Sequence, residues 1–512
     1  MLRSVMTVGL WTMGSRVLGF ARDILIAALL GTGPVADAFF VALKLPNLFR
    51  KLFGEGAFNA AFVPAFAGTL AAEGPAHARR LAEEVCSVLL AVLAIFTLFG
   101  VVFMPQLMVV LAPGFEDIPA KFALTVALSR ITFPYLLLIC MAALLSGVLN
   151  GLNRFAAAAA APILFNVFAI AAMLWLTPFV PTVGHALSWG LTVSGMAQMA
   201  LVAWACARAG MPLRLPRPRL TPAVRLVMRR MAPGLIGAGV TQINLAVDVI
   251  IASLLPPGTV SVLYYADRVN QLPLGVIGAA VGTALLPVLS RQMRAGDDAA
   301  ARATLNRAIE FAVVLTLPAA LALAVVAEPI MRALFGYGAF SMTSVHESAA
   351  ALAAYAFGLP AFVLLKVLAP PFFARGDTAS PVWVGLVAMV LNIVFNLLLM
   401  GPLGQVGVAL ATSLAGIINA AALIVLLVRH GDLRLDARLR TTLPRMVFAG
   451  LAMAGALWLA ERALAGTPRL IDLAVLIALG LGVYGLIGHA IGAFNLAELR
   501  AMVLRRKQQA IP

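Results

Sequence analysis

The chain is a succession of apolar runs, each roughly the length of a membrane-crossing helix, which takes about 20 apolar residues. The runs fall near 5–30, 34–64, 82–111, 122–150, 156–178, 184–207, 228–255, 261–290, 306–336, 346–374, 381–400, 405–428, 444–464 and 470–493. Breaks rich in proline, glycine or charge separate them. Fourteen transmembrane helices are therefore predicted, and the fold class is an all-α polytopic membrane protein. Composition agrees, because 37 basic and 21 acidic residues in a chain of 512 that is 62% hydrophobic cannot cover a soluble surface. Soluble enzymes, disulfide scaffolds and disordered proteins are excluded on that ground.

The breaks alternate in charge. Basic ones hold Arg79 and Arg80; Arg154; seven arginines in 208–230; Arg291, Arg294, Arg302 and Arg307; Arg375; several arginines in 429–445; and a tail with Arg500, Arg505, Arg506 and Lys507. The others are short and neutral or acidic, such as Pro113-Gly114-Phe115-Glu116-Asp117 and Pro256-Pro257-Gly258. Excess Lys/Arg stays in the cytoplasm, so both termini are expected inside and most of the +16 net charge sets orientation. Arg16, Arg22 and Asp23 follow the first apolar stretch without a small-residue cleavage site, so that stretch is expected to remain as a span. Cys86, Cys140 and Cys206 are odd in number and widely spaced, which suits neither a disulfide framework nor a zinc site.

The two halves resemble each other. Asp23-Ile-Leu-Ile-Ala-Ala-Leu-Leu30 returns 225 positions later as Asp248-Val-Ile-Ile-Ala-Ser-Leu-Leu255, and Phe39-Phe40 returns as Tyr264-Tyr265. Ala60-Ala61-Phe62-Val63-Pro64 matches Thr283-Ala284-Leu285-Leu286-Pro287 at an offset of 223, while Phe133-Pro134 and Asn166 match Leu359-Pro360 and Asn392 at 226. Six spans separate the copies, so the repeat is parallel, and substrates of such transporters bind near the midplane. The predicted organisation is an N-lobe of six spans in 1–210, a basic cytoplasmic linker in 211–227, a C-lobe of six spans in 228–430, and two further helices with a tail in 431–512.

Ionisable residues inside apolar spans are costly and mark function. Here Arg16, Arg22, Asp23, Asp37, Lys44, Arg50, Lys51 and Glu55 cluster in the first two spans, and Asp267, Arg268 and Lys366 follow in the second half. Asp37, Lys44 and Lys51 recur every seven residues and share a helix face. Arg16 and Arg22 are six apart, so they converge only if the helix bends, for which Gly19 is placed. Mutual ion pairing, for instance Arg22 with Asp37, is one use of these charges. The surplus of cations favours another, a cavity for a multiply charged anion such as a pyrophosphate, whose oxygens fit the planar arginine fork. A second polar set, Asp248, Asn392, Asn396 and Thr412, offers hard oxygen ligands for a coupling Na⁺, with interhelical hydrogen bonding as the alternative. No catalytic constellation, P-loop or metal-hydrolase motif is present, so an enzyme is not expected.

Three groups of motifs identify a family. Ser15-Arg16-Val17-Leu18-Gly19-Phe20-Ala21-Arg22-Asp23 opens the first group. Ala36-Asp37-Ala38-Phe39-Phe40-Val41-Ala42, Lys44-Leu45-Pro46-Asn47-Leu48 and Gly54-Glu55-Gly56-Ala57-Phe58 form the second. Tyr264-Tyr265-Ala266-Asp267-Arg268, Leu285-Leu286-Pro287 and Lys366-Val367-Leu368-Ala369-Pro370 form the third. Together they resemble the MurJ (MviN) family of lipid II flippases, within the multidrug/oligosaccharidyl-lipid/polysaccharide exporter superfamily. The resemblance implies two six-helix lobes plus two helices forming a groove for the undecaprenyl tail. It also implies alternating-access transfer of undecaprenyl-pyrophosphoryl-MurNAc-pentapeptide-GlcNAc from the inner to the outer leaflet of the bacterial cytoplasmic membrane, for peptidoglycan assembly and cell shape. Arg16, Arg22, Asp37, Arg50 and Arg268 carry over as essential cavity positions, with Lys44, Glu55 and Lys366 in support. The expected partners are lipid II, membrane lipids and the cell-wall synthesis machinery around a monomeric transporter, with no nucleic acid and no cofactor beyond Na⁺. A flippase for another lipid-linked oligosaccharide and a multidrug/Na⁺ antiporter are the rival readings; the cationic surplus disfavours the antiporter.

Overall fold

The computed structural model describes residues 2–51, 58–464 and 466–494. All regular structure among them is helical: α1 Leu2–Leu30, α2 Pro34–Arg50, α3 Phe58–Glu73, α4 Pro75–Val102, α5 Met104–Leu111, α6 Pro119–Thr132, α7 Tyr135–Gly151, α8 Ala156–Ala171, α9 Val183–Arg208, α10 Pro222–Ser253, α11 Thr259–Arg294, α12 Asp298–Val325, α13 Ala327–Phe335, α14 Met342–Ala374, α15 Ala379–Arg429, α16 Ala437–Ala463 and α17 Arg469–Ala490. Local sequence sets many of the starts. Helices α2, α4, α6 and α10 begin on Pro34, Pro75, Pro119 and Pro222, where a missing N–H costs nothing. Side chains of Thr221, Asp297, Ser341 and Asp436 accept from first-turn amides of α10, α12, α14 and α16.

Nine helical segments among the described residues are long and apolar enough to cross a membrane. Their outer faces carry large apolar side chains at helical spacing, as Val92, Ile95, Leu98, Phe99 and Val102 do on α4. Water would penalise such a stripe, whereas lipid does not. Helix α15 is 51 residues long, about 76 Å if straight, more than twice the hydrocarbon thickness. It breaks at Gly404, whose φ of 54° and ψ of −131° are not helical. Beyond the break the chain returns, because Asn392 and Thr412, 20 residues apart, share a hydrogen bond.

Two compact units divide the chain. The first comprises Met1–Ser261 with Gly338–Phe340. Its core stacks Phe58, Phe62 and Phe66 of α3 against Ala82 and Cys86 of α4, Leu144 and Val148 of α7, Val202 and Cys206 of α9, and Val224 and Val227 of α10. Small residues let the helices close up: a Cβ on Gly190 of α9 would stand 2.6 Å from the Ala172 Cβ and 3.1 Å from the Phe168 carbonyl. Gly338 takes a φ of 58°, and Ala339 N–H donates to the Ala28 carbonyl at the end of α1 (2.7 Å).

The second unit comprises Val262–Tyr337 and Ser341–Pro512. Its core joins Leu289 of α11, Leu305 and Ala312 of α12, Val363 and Leu368 of α14, Leu427 of α15, Met446 and Leu457 of α16, and Leu476 and Tyr484 of α17. The last two helices are thus integral to this unit. The buried Tyr484 hydroxyl donates to the Val314 carbonyl of α12 (3.0 Å), and Arg332 of α13 pairs with Asp472 of α17 (2.8 Å).

Candidate functional site

Helix α1 runs unbroken through Gly19, so the six-residue offset leaves Arg16 and Arg22 on different faces. Arg16 is exposed. Arg22 is only 6% exposed and faces α8. Its Nε and Nη2 donate to Asp23 Oδ1 (3.1 and 2.6 Å) and its Nη1 to Asn166 Oδ1 (2.9 Å). The guanidinium also lies 4.7 Å from the Phe165 ring centroid. Asn166 is held in turn by its Nδ2 donating to the Ser15 carbonyl (2.9 Å). A guanidinium has five N–H groups, and these contacts use three of them, so Asp23 and Asn166 fix the plane of Arg22 while leaving donors over.

Asp37, expected among the cavity residues, is 0% exposed. Its Oδ2 accepts from Lys121 Nζ of α6 (2.8 Å) and Gly258 N–H (2.7 Å). Its Oδ1 accepts from the backbone N–H and hydroxyl of Ser261 (2.9 and 2.8 Å). Lys121 Nζ also stands 3.7 Å from the Phe115 ring centroid. The carboxylate therefore ties the start of α2 to α6 and to the start of α11, with charge and hydrogen bonds satisfied inside the first unit. The sequence reading missed Lys121; its signal was that it is one of only five lysines and begins an apolar run.

The face carrying Asp37, Lys44 and Lys51 grades outward: Asp37 is buried, Lys44 half-buried and Lys51 exposed at the end of α2. Arg50 Nε donates to Asn47 Oδ1 (3.2 Å). Glu55 lies outside the described residues.

In the second unit, Arg268 is half-buried and donates through Nη2 to the Tyr264 hydroxyl (2.8 Å), with its guanidinium 4.9 Å from that ring's centroid. Asp267 accepts from Gln271 one turn on. Lys366 is exposed and lies across Gly278 of α11, where a Cβ would meet its Nζ at 2.6 Å. Asn392, Asn396 and Thr412 come together across the fold of α15. Asn396 Nδ2 donates to Asn392 Oδ1 (3.1 Å) and Asn392 Nδ2 to Thr412 Oγ1 (3.4 Å). Asn396 is 0% exposed, and its Oδ1 has no hydrogen-bond partner among the described residues. Asp248, the fourth member of the predicted ion set, is half-buried on α10 in the first unit.

A family profile described as lipid II flippase MurJ matches residues 26–477. A probable lipid II flippase MurJ of Rhizobium meliloti is 44% identical, over 99% of this chain and 96% of the relative. One from Rhizobium tropici is 41% identical, over 99% and 97%. The lipid II flippase MurJ of Burkholderia cenocepacia is 34% identical, over 89% of each chain. Among solved structures, a lipid II flippase MurJ in an inward closed conformation superposes with a TM-score of 0.80 at 24% identity, over 95% of this chain and 98% of that one. An inward-facing multidrug transporter of the MATE family, in the MOP superfamily, shares the fold at 0.69 and 15% identity, over 82% of this chain and 94% of that one.

Proposed function

Because the chain belongs to the MurJ family of lipid II flippases, we propose that it carries lipid II from the inner to the outer leaflet of the bacterial inner membrane by alternating access. The observation that carries this reading is the 44% identity to the probable lipid II flippase MurJ of Rhizobium meliloti over nearly the whole of both chains. The protein is a multi-pass transporter serving peptidoglycan synthesis.

The substrate's diphosphate is a multiply charged anion that must leave water to cross. Cations fixed inside apolar helices replace its hydration, and arginine forks match its oxygens. We assign Arg16, Arg22, Lys44, Arg50 and Lys51 of the first half, and Arg268 and Lys366 of the second, to this task. Arg22 is the best prepared, since Asp23 and Asn166 hold its plane while donors remain. Asp37 supports α2 from behind, and Asp267 stands beside Arg268 in sequence. Glu55 belongs to the same motif group.

Fourteen crossings follow if α1, α2 with α3, α4 with α5, α6 with α7, α8, α9, α10, α11, α12 with α13, α14, the two lengths of α15, α16 and α17 each cross once. The alternation of basic breaks then leaves both termini in the cytoplasm. The repeat groups 1–210 and 228–430 as lobes joined by 211–227, with α16 and α17 offered to the prenyl tail. Coupling to Na⁺ is part of the proposal. Asn392, Asn396 and Thr412 supply hard oxygens, and the enclosed, unpartnered Asn396 Oδ1 fits a cation better than a closed hydrogen-bond network. Bound there, the ion would supply charge that favours one conformation over another.

The test is depletion of the protein in a cell with no second flippase, followed by labelling of lipid II at the outer face. Exposure should fall, and return with the wild-type chain but not with Arg22→Ala. Unchanged exposure after depletion overturns the reading.

A further inference from the structure

The stretch between α9 and α10 is not a slack linker. Met211 and Leu213 pack into the core of the first unit. Arg214 N–H donates to Glu83 Oε1 (2.9 Å) and the Thr221 hydroxyl to Glu84 Oε2 (2.7 Å). Both carboxylates belong to the third turn of α4, and Glu83 also takes Arg79 Nε (2.9 Å). Pinned at both ends, residues 214–220 form an exposed segment without regular structure, stiffened by Pro216 and Pro218.

Between this segment and α4 lies a recess of about 370 Å³, lined by Arg80, Glu83, Glu84, Pro216, Arg217 and Arg219. Its two carboxylates are already engaged with Arg79, Arg214 and Thr221, whereas Arg80, Arg217 and Arg219 form no ion pair among the described residues. Two leucines, Leu215 and Leu220, flank the arginine pair and are each 60% exposed. Arg80, Glu83 and Glu84 all precede the apolar length of α4, which starts at Val85, so a crossing by that length sets the recess at headgroup depth. Topology alone asks for positive charge near a span end. It does not ask for a rigid segment that projects apolar and cationic side chains together, which is the chemistry of an interface-seated element.

We propose that this recess binds the phosphate of an anionic phospholipid, with Arg80, Arg217 and Arg219 on the headgroup and Leu215 and Leu220 in the adjoining acyl layer. A soluble phosphate would share the arginines but gain nothing from the leucines.

The full chain, purified in detergent, is titrated with phosphatidylglycerol, and bound lipid is counted by native mass spectrometry. Each surface arginine contributes about fivefold to anionic-lipid affinity, so R217A/R219A should bind roughly 25-fold more weakly. L215S/L220S should also bind more weakly, R291A/R294A on the exposed end of α11 should match wild type, and phosphatidylcholine should bind poorly. Millimolar inorganic phosphate should not displace the lipid. Equal loss in R217A/R219A and R291A/R294A, or no loss in R217A/R219A, overturns the site. Displacement by phosphate with L215S/L220S unaffected overturns the lipid assignment. All variants change exposed side chains, and matched melting temperatures verify that the fold is unaltered.

Discussion

Lys121 Nζ lies 2.8 Å from Asp37 Oδ2 with the two side chains 2% and 1% exposed. An ion pair so enclosed is expensive to break from one side, because the remaining charge has neither water nor partner. Lys121→Met should therefore lower stability by about 3–5 kcal/mol. Asp37→Asn keeps the side-chain shape and some acceptor capacity, and should cost less. The double variant should be more stable than the sum of the singles, since neither charge is stranded. Thermal unfolding of the four proteins in one detergent measures this. Additive losses would mean that the pair is uncoupled.

Arg22 is held by geometry as much as by charge. Its fork meets Asp23 on one edge and Asn166 on the other, and a lysine cannot span both. Arg22→Lys should thus fail to restore lipid II exposure in depleted cells although the charge is kept. Asn166→Leu, which leaves Arg22 in place but frees its plane, should reduce exposure by about tenfold or more, in line with the loss of one charged hydrogen bond of about 1.5–3 kcal/mol. Full rescue by Arg22→Lys would show that charge alone suffices.

The helices were legible because lipid imposes a simple rule: apolar lengths of about 20 residues with breaks between. The turn at Gly404 falls in the break between the runs 381–400 and 405–428, and the sequence already groups Asn392 and Asn396 with Thr412, which the fold of α15 brings into hydrogen-bond contact. Pairings across long separations were not legible. Heptad spacing groups Asp37 with Lys44 and Lys51, yet its own cation is 84 positions away on α6, a relation that no local period encodes. In the sequence Asn166 marks only the repeat, and its role as the support of Arg22 depends on how α1 and α8 pack. Gly19 is placed to permit a bend between Arg16 and Arg22, yet α1 continues through it as one helix.

Asp377, between α14 and α15, offers a test by pH. Its carboxylate accepts from Ser380 and Ala379 N–H (2.9 and 3.1 Å). Hydrogen bonding from Ser380 is the main cause holding its pKa below the ordinary 3.8, with Ala379 and the nearby His430 adding to it. A depressed carboxylate pKa gives stability that is complete above the unfolded-state value and is lost as pH falls through the folded one. Asp377→Ala should therefore loosen the first turn of α15 at neutral pH, seen as faster amide exchange at Ser380. The difference from wild type should disappear only in acid below the depressed pKa. A difference that is constant across pH would mean that the carboxylate charge plays no part.

Asn396 separates an ion site from a structural hydrogen bond. If its enclosed Oδ1 serves only the fold, Asn396→Leu removes an unpartnered acceptor together with one donated bond, and salt identity should not matter. If the oxygen belongs to a Na⁺ site, wild-type protein should melt higher in NaCl than in choline chloride at equal ionic strength, because an ion that binds only the folded state stabilises it by mass action. At a concentration of 100 times the dissociation constant the gain is about 2.7 kcal/mol. Asn396→Leu and Thr412→Val should both abolish that difference while still folding, since each keeps the branching and the number of side-chain heavy atoms. A melting temperature that is the same in both salts for the wild type would remove Na⁺ from the mechanism and leave Asn392, Asn396 and Thr412 as an interhelical clasp.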